Sequence, residues 1–169
     1  MALHFSTSTL EQFKIIVSCD QSISMTDSQR STYLNHGTLE GVQIADDATW
    51  FTLKPLSAND REKAEIRAGA FTRSELGKLL WVEAPSNTRD RARWHNKLDD
   101  EEREALATYE LYQNRSYCEY VRESLVAIND EPATFETIDS IKPSSDRITT
   151  ITEIVYHIHR LSTLSDQAK

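Results

Sequence analysis

The chain is short of the residues that build special structure. It has two cysteines in 169 residues, Cys19 and Cys118, far apart and in no C-x-x-C pair. That excludes a disulfide scaffold and a four-cysteine zinc module. Two free thiols in a reducing compartment are expected, with a single Cys19–Cys118 disulfide as the alternative. Four glycines and four prolines exclude collagen-like and low-complexity chains. So few glycines also leave little backbone to cradle a phosphate, and there is no P-loop, no G-x-G-x-x-G and no G-x-S-x-G elbow. No apolar run approaches the roughly 20 residues of a membrane span. The opening residues Met1-Ala-Leu-His-Phe-Ser lack the basic and apolar stretches of a secretory signal, so a cytosolic setting is expected.

Positive charge is scarce too. Nineteen Lys and Arg stand against 27 Asp and Glu, giving −8, with a pI of about 5.1 and a mean hydropathy of −0.55. As a whole the chain repels a bare phosphate backbone, so nucleic acid is disfavoured as a partner. The charge is uneven. Ser86–Lys97 carries Arg89, Arg91, Arg93 and Lys97 against Asp90, whereas Leu98–Glu131 has ten acids against three arginines.

What is present reads as one α+β domain over 1–169, with a β-containing part at 1–56 and a helical part at 57–169. Phe13–Cys19 is β-branched and reads as a strand around Ile15–Val17, with Ser8 or Thr9 as the cap of any helical entry. Asp20–Asp47 is polar, broken at Gly37 and Gly41, with room for a short helix near Ser28–Leu34. Thr49–Pro55 is the best strand, aromatic and β-branched and stopped by proline.

Ser57 with Asp60 opens a helix that turns Ala64, Ala68 and Phe71 inward; Thr72 with Glu75 repeats the capping pattern. Leu76, Leu79, Leu80 and Val82 continue an apolar stripe around Trp81. Asp99 with Glu102 caps the longest helix, about Asp100 to Ile128, with Leu106, Tyr109, Tyr112, Tyr117, Tyr120, Val121, Leu125 and Ile128 on one wide face. Asn129-Asp-Glu-Pro132 ends it. Phe135–Ile141 is short, open to a turn, a strand or one helical turn. The last helix starts at Pro143 and sets Ile148, Ile151, Ile154, Val155, Ile158, Leu161 and Leu164 on one side.

Four groupings have chemical content. Glu153, His157 and Arg160 share a helix face, with His159 nearby. A Glu and a His at i, i+4 can reach one metal ion or pass a proton. No third ligand is marked, so they read as a solvated polar face opposite the isoleucines, and no metal or cofactor is implied. The acidic run Asp99–Glu102 with Glu104 has no EF-hand spacing and reads as a helix start. Arg89, Arg91, Arg93, Trp94 and Lys97 read as an exposed loop suited to docking on an acidic protein surface. Tyr109, Tyr112 and Tyr117 tolerate a wet edge, and with that loop they are the candidate protein-contact residues.

Three stretches carry a family resemblance. They are Trp50-Phe-Thr-Leu-Lys-Pro-Leu-Ser57; Tyr120-Val-Arg-Glu-Ser-Leu-Val-Ala-Ile-Asn-Asp-Glu-Pro132; and Ile154-Val-Tyr-His-Ile-His-Arg-Leu-Ser-Thr-Leu164. In this order they resemble small morphogenesis proteins encoded among the tail genes of tailed bacteriophages, often described as tail-assembly-chaperone-like. The resemblance covers about a third of the chain and carries no catalytic residues. It implies a non-enzymatic protein that contacts phage tail or neck proteins in the host cytoplasm, with no membrane partner. Retention in the virion as a head–tail or tail component, homo-oligomerisation, and an adaptor that binds one protein remain the alternatives.

Overall fold

A computed structural model describes residues 12–69, 73–142 and 144–167, with side chains as far as Ser162. The expected caps at Ser8, Thr9 and Thr72, the inward Phe71, Pro143 and the Leu164 side chain lie outside the described residues. The fold is α+β. In order it contains β1 (Phe13–Ile16), β2 (Ile23–Ser24), α1 (Asp27–His36), β3 (Gln43–Ile44), β4 (Trp50–Leu53), α2 (Ala58–Ala68), α3 (Glu75–Glu83), α4 (Thr88–His95), α5 (Asp100–Ser124), β5 (Leu125–Ile128), β6 (Glu131–Pro132), α6 (Phe135–Asp139) and α7 (Ser144–Gln167).

The described residues fall into two compact units, one formed by 12–60 with 120–167 and a second within 61–119. The first holds an antiparallel sheet in the order β1-β4-β5-β6 and a separate β2-β3 pair. Leu125–Ile128 is therefore a strand, not the last turn of the long helix. Its run Leu-Val-Ala-Ile suits a half-buried strand. Asn129 and Asp130 follow in the left-handed region, at φ 50° and 66°. Two consecutive positive-φ residues turn a tight hairpin into β6. Asn129 also completes β4: its side-chain oxygen accepts from Trp50 N–H at 2.8 Å, and its N–H donates to Trp50 C=O at 2.8 Å. Ser124 does the same at the other end, donating to Lys54 C=O and accepting from Lys54 N–H through its own carbonyl.

Because Trp50 spends its backbone groups on Asn129, the Ile16 opposite it has N–H and C=O turned away from β4. Tyr33 of α1 takes both. Its hydroxyl accepts from Ile16 N–H at 2.9 Å and donates to Ile16 C=O at 2.8 Å. Ile16, Ile23, Tyr33 and Ala48 form the core beneath. Thr26 and Gln29 make a reciprocal capping box at the start of α1, and Gly37 at φ 76° ends it.

The second unit is helical. Leu80, Leu98 and Leu106 form one cluster, and Ala68, Tyr109 and Tyr112 another, with Trp81 against both. The capping expected at Asp99 is present in both directions. Asp99 N–H donates to Glu102 at 2.9 Å and Glu102 N–H to Asp99 at 2.9 Å. Ser57 and Asp60 do likewise. The cap of α3 is Ser74, whose side chain accepts from Gly77 N–H.

Candidate functional site

Arg89–Lys97 is not a loop. Asn87 accepts from Asp90 N–H at 3.0 Å and starts α4. Arg89, Arg91, Arg93 and Trp94 lie in this helix and Lys97 in the turn after it, and the five candidate residues separate. Arg89, Arg93 and Lys97 are exposed, whereas Arg91 and Trp94 are half-buried. Arg91 pairs with Glu110 at 3.0 Å and lies 5.0 Å over the Trp81 ring. Trp94 packs on Leu80, Leu98 and Leu106. Arg91 and Trp94 thus hold α4 in its unit, and Arg89, Arg93 and Lys97 are the ones presented outward.

The tyrosines depart from the reading as contact residues. Tyr109 and Tyr112 are each 6% exposed, with ring centroids 5.8 Å apart. The Tyr109 hydroxyl is held by the Gln113 amide at 2.6 Å. Arg73 meets the Tyr112 side chain. Both rings are core, because α5 is covered on the face that carries them. Tyr117 is half-buried, and burial pushes its phenol above the usual value.

The open apolar surface lies on α3 instead. The inner face carries Leu80 and Trp81, with Gly77 closest to α5. The outer face carries Leu76, Leu79 and Val82 at 38%, 55% and 74% exposure. Spaced by three, these fall on one side of the helix. The sequence reading places all of Leu76, Leu79, Leu80 and Val82 in a single stripe. The structure splits the group, burying Leu80 and leaving the other three outward.

In the first unit, the polar trio on α7 is not a solvated face: Glu153 and His157 are buried and Arg160 is half-buried. Glu153 is 6% exposed and His157 0%. Packing of α7 against both α1 and α6 widens its buried arc beyond the isoleucines. Ile148, expected inside, is 58% exposed at the start of the helix. Glu153 accepts from Ser18 N–H at 2.6 Å and Ser18 Oγ at 2.7 Å. Burial pushes the Glu153 carboxyl up, but the His157 beside it and the two Ser18 donors outweigh this and hold it below the ordinary carboxylate value. The His157 ring lies 4.8 Å from that of Tyr33. Arg160 donates from Nη1 to Tyr33 C=O at 2.8 Å, at the C-terminus of α1, where a cation is favoured. His159 stands apart, edge-on to Tyr120.

Among the described residues, no group of three or more His, Cys, Asp and Glu side chains is placed to hold a metal ion, and no helix is long and apolar enough to cross a membrane. Cys19 is exposed and Cys118 half-buried, and neither is in a disulfide. Shallow clefts on the sheet of the first unit are bridged by the Lys14–Asp130 ion pair at 2.6 Å. Comparison with protein-family models, curated proteins and solved structures finds no match to this chain.

Proposed function

We propose that this protein is a non-enzymatic morphogenesis factor of a tailed bacteriophage, acting by protein–protein contact during tail assembly in the host cytoplasm. The observation that carries the contact reading is the outer face of α3. A helix that is apolar on two opposite sides belongs between two surfaces. Leu80 and Trp81 meet the first surface within the unit. Leu76, Leu79 and Val82 have none among the described residues. The tail assignment itself is supported by the three sequence stretches that resemble tail morphogenesis proteins.

The occupant we propose is a tail or neck protein of different sequence. Three side chains offer a patch of a few hundred Å² at most, against about 800 Å² per partner in a standard interface. A second copy also brings a like charge of −8. A different partner is free of that repulsion, and Arg89, Arg93 and Lys97 are exposed cations suited to acidic groups.

The test is a paired substitution, Leu79→Asp with Val82→Asp, followed by pull-down and titration against the tail proteins. Both positions are exposed, so stability should change by no more than about 0.5 kcal/mol per site. Partner binding should fall at least tenfold. Unchanged binding would remove α3 from the function. Light scattering at two concentrations separates the alternatives: a stable monomer or dimer fits an assembly factor, whereas a ring-sized species fits a component retained in the virion.

A further inference from the structure

We propose that His157 and Glu153 form a proton-controlled latch on the turn that follows β1. The latch is independent of the contact surface on the second unit. His157 is completely buried, and neither ring nitrogen has a hydrogen-bond partner. A neutral imidazole carries one N–H and one lone pair, and leaving both unpaired in the interior is costly. The nearest carboxylate oxygen is Glu153 Oε1, 3.9 Å from His157 Nε2. That is too long for a hydrogen bond and short enough to become one with a shift of about 1 Å.

Glu153 Oε1 is already engaged, accepting from Ser18 N–H at 2.6 Å, while Oε2 accepts from Ser18 Oγ at 2.7 Å. A proton on His157 turns Nε2 into a charged donor aimed at the oxygen that holds Ser18. The carboxylate then moves toward the ring, and the Ser18 contacts lengthen. Unprotonated His157, with its one N–H on Nδ1, turns only a lone pair toward the carboxylate, so Glu153 stays on Ser18 and the turn is locked.

The other groups around the ring set the balance. From α1, Tyr33 offers only its tilted ring, because its hydroxyl is committed to Ile16. From α7, Arg160 opposes a second cation, but it is half-buried and its Nη1 is on the Tyr33 carbonyl. Glu153 is more deeply buried, 3.9 Å from the ring, and attraction is screened less there. From the turn itself, Cys19 contributes a thiol near Thr150, with its pKa pushed up by burial, so it carries no charge at neutral pH. The turn is a junction in the first unit. The next residue, Asp20, accepts from Ser22 N–H at 2.9 Å and from Thr49 N–H at 3.0 Å, tying the starts of β2 and β4 to it.

The test is solution NMR on the full chain between pH 8 and pH 5. The Ser18 amide proton should titrate with the same midpoint as the His157 ring protons, and its protection factor, with the intrinsic exchange rate at each pH divided out, should fall about tenfold on the acid side. In His157→Phe, which keeps an aromatic ring against Tyr33 and cannot take a proton, the Ser18 response should vanish. His157→Gln provides the same control if the phenylalanine variant does not fold. Three results would overturn the latch: a flat Ser18 amide while His157 titrates, a His157 that does not titrate in this range, or an unchanged Ser18 response in the substituted proteins. None of these results bears on partner binding through α3.

Discussion

Tyr33 does three jobs with one side chain. Its ring closes the core formed by Ile16, Ile23 and Ala48, and it flanks His157. Its hydroxyl satisfies both backbone groups of Ile16. Tyr33→Phe keeps the first two and strips the third, leaving a buried N–H and C=O unpaired. The expected cost is about 1–3 kcal/mol, read by urea unfolding. Burial also pushes the Tyr33 phenol up to about 12. The neutral phenol is therefore favoured by the fold. That stability is fully present below the unfolded phenol value near 10 and is lost as pH rises from there through about 12. In Tyr33→Phe the stability profile should lose this alkaline slope. An equal slope in both proteins would place its origin elsewhere.

At this scale the sequence is only partly readable. Asp99 with Glu102 and Ser57 with Asp60 are visible as caps because capping is local chemistry at fixed spacing. Burial of Glu153 and His157 is not visible. On a helical projection they lie beyond the isoleucine stripe, and only the packing of α1 and α6 on α7 extends the buried arc to them. Their i, i+4 spacing is the one hint, and it is shared by countless solvated pairs. Tyr109 and Tyr112 show the converse, since a tyrosine face suits a rim and a core equally until a neighbour covers it.

Elements are more legible in the sequence than their ends. β1, β4, α1 and the closing helix follow from β-branched runs, from breakers and from the threefold and fourfold spacing of isoleucines. The apolar period of the long helix continues through Leu125–Ile128, so by local pattern these residues belong to it. The open hydrogen-bonding side of β4 takes them as a strand instead, an influence no local window contains. For α3 the orientation comes from one atom that is absent. A Cβ on Gly77 would lie 2.1 Å from the Ala105 carbonyl oxygen, so the helix can approach α5 only along its glycine. This pins Leu76, Leu79 and Val82 to the outside. Gly77→Ala adds helix propensity worth about 1 kcal/mol, but the contact is with backbone and cannot yield. Net destabilisation of about 1–3 kcal/mol is expected in chemical denaturation. A stabilised variant would mean that α3 sits farther from α5.

Over the whole molecule, charge and apolar exposure act in opposite directions. A net −8 keeps copies apart, while the outer face of α3 is suited to contact. Together they favour selective association over self-aggregation. The fold class was legible from the order of strand-like and helix-like runs. The division into units was not, because it depends on which distant strand joins β4. That pairing also has a consequence in time. Leu53 pairs with Leu125, and all of the second unit lies between them in sequence. As the chain leaves the ribosome, β4 emerges with an empty side and must wait while 61–119 is made. The contacts within α3, α4 and the first part of α5 are near in sequence and close quickly, whereas the β4–β5 ladder pays a long loop closure first. Pulse-labelled hydrogen exchange during refolding should protect amides of α3 and α5 before those of β4 and β5; the reverse order would contradict this. Until β5 arrives, the half-made sheet is the part of the nascent protein most open to pairing with another chain.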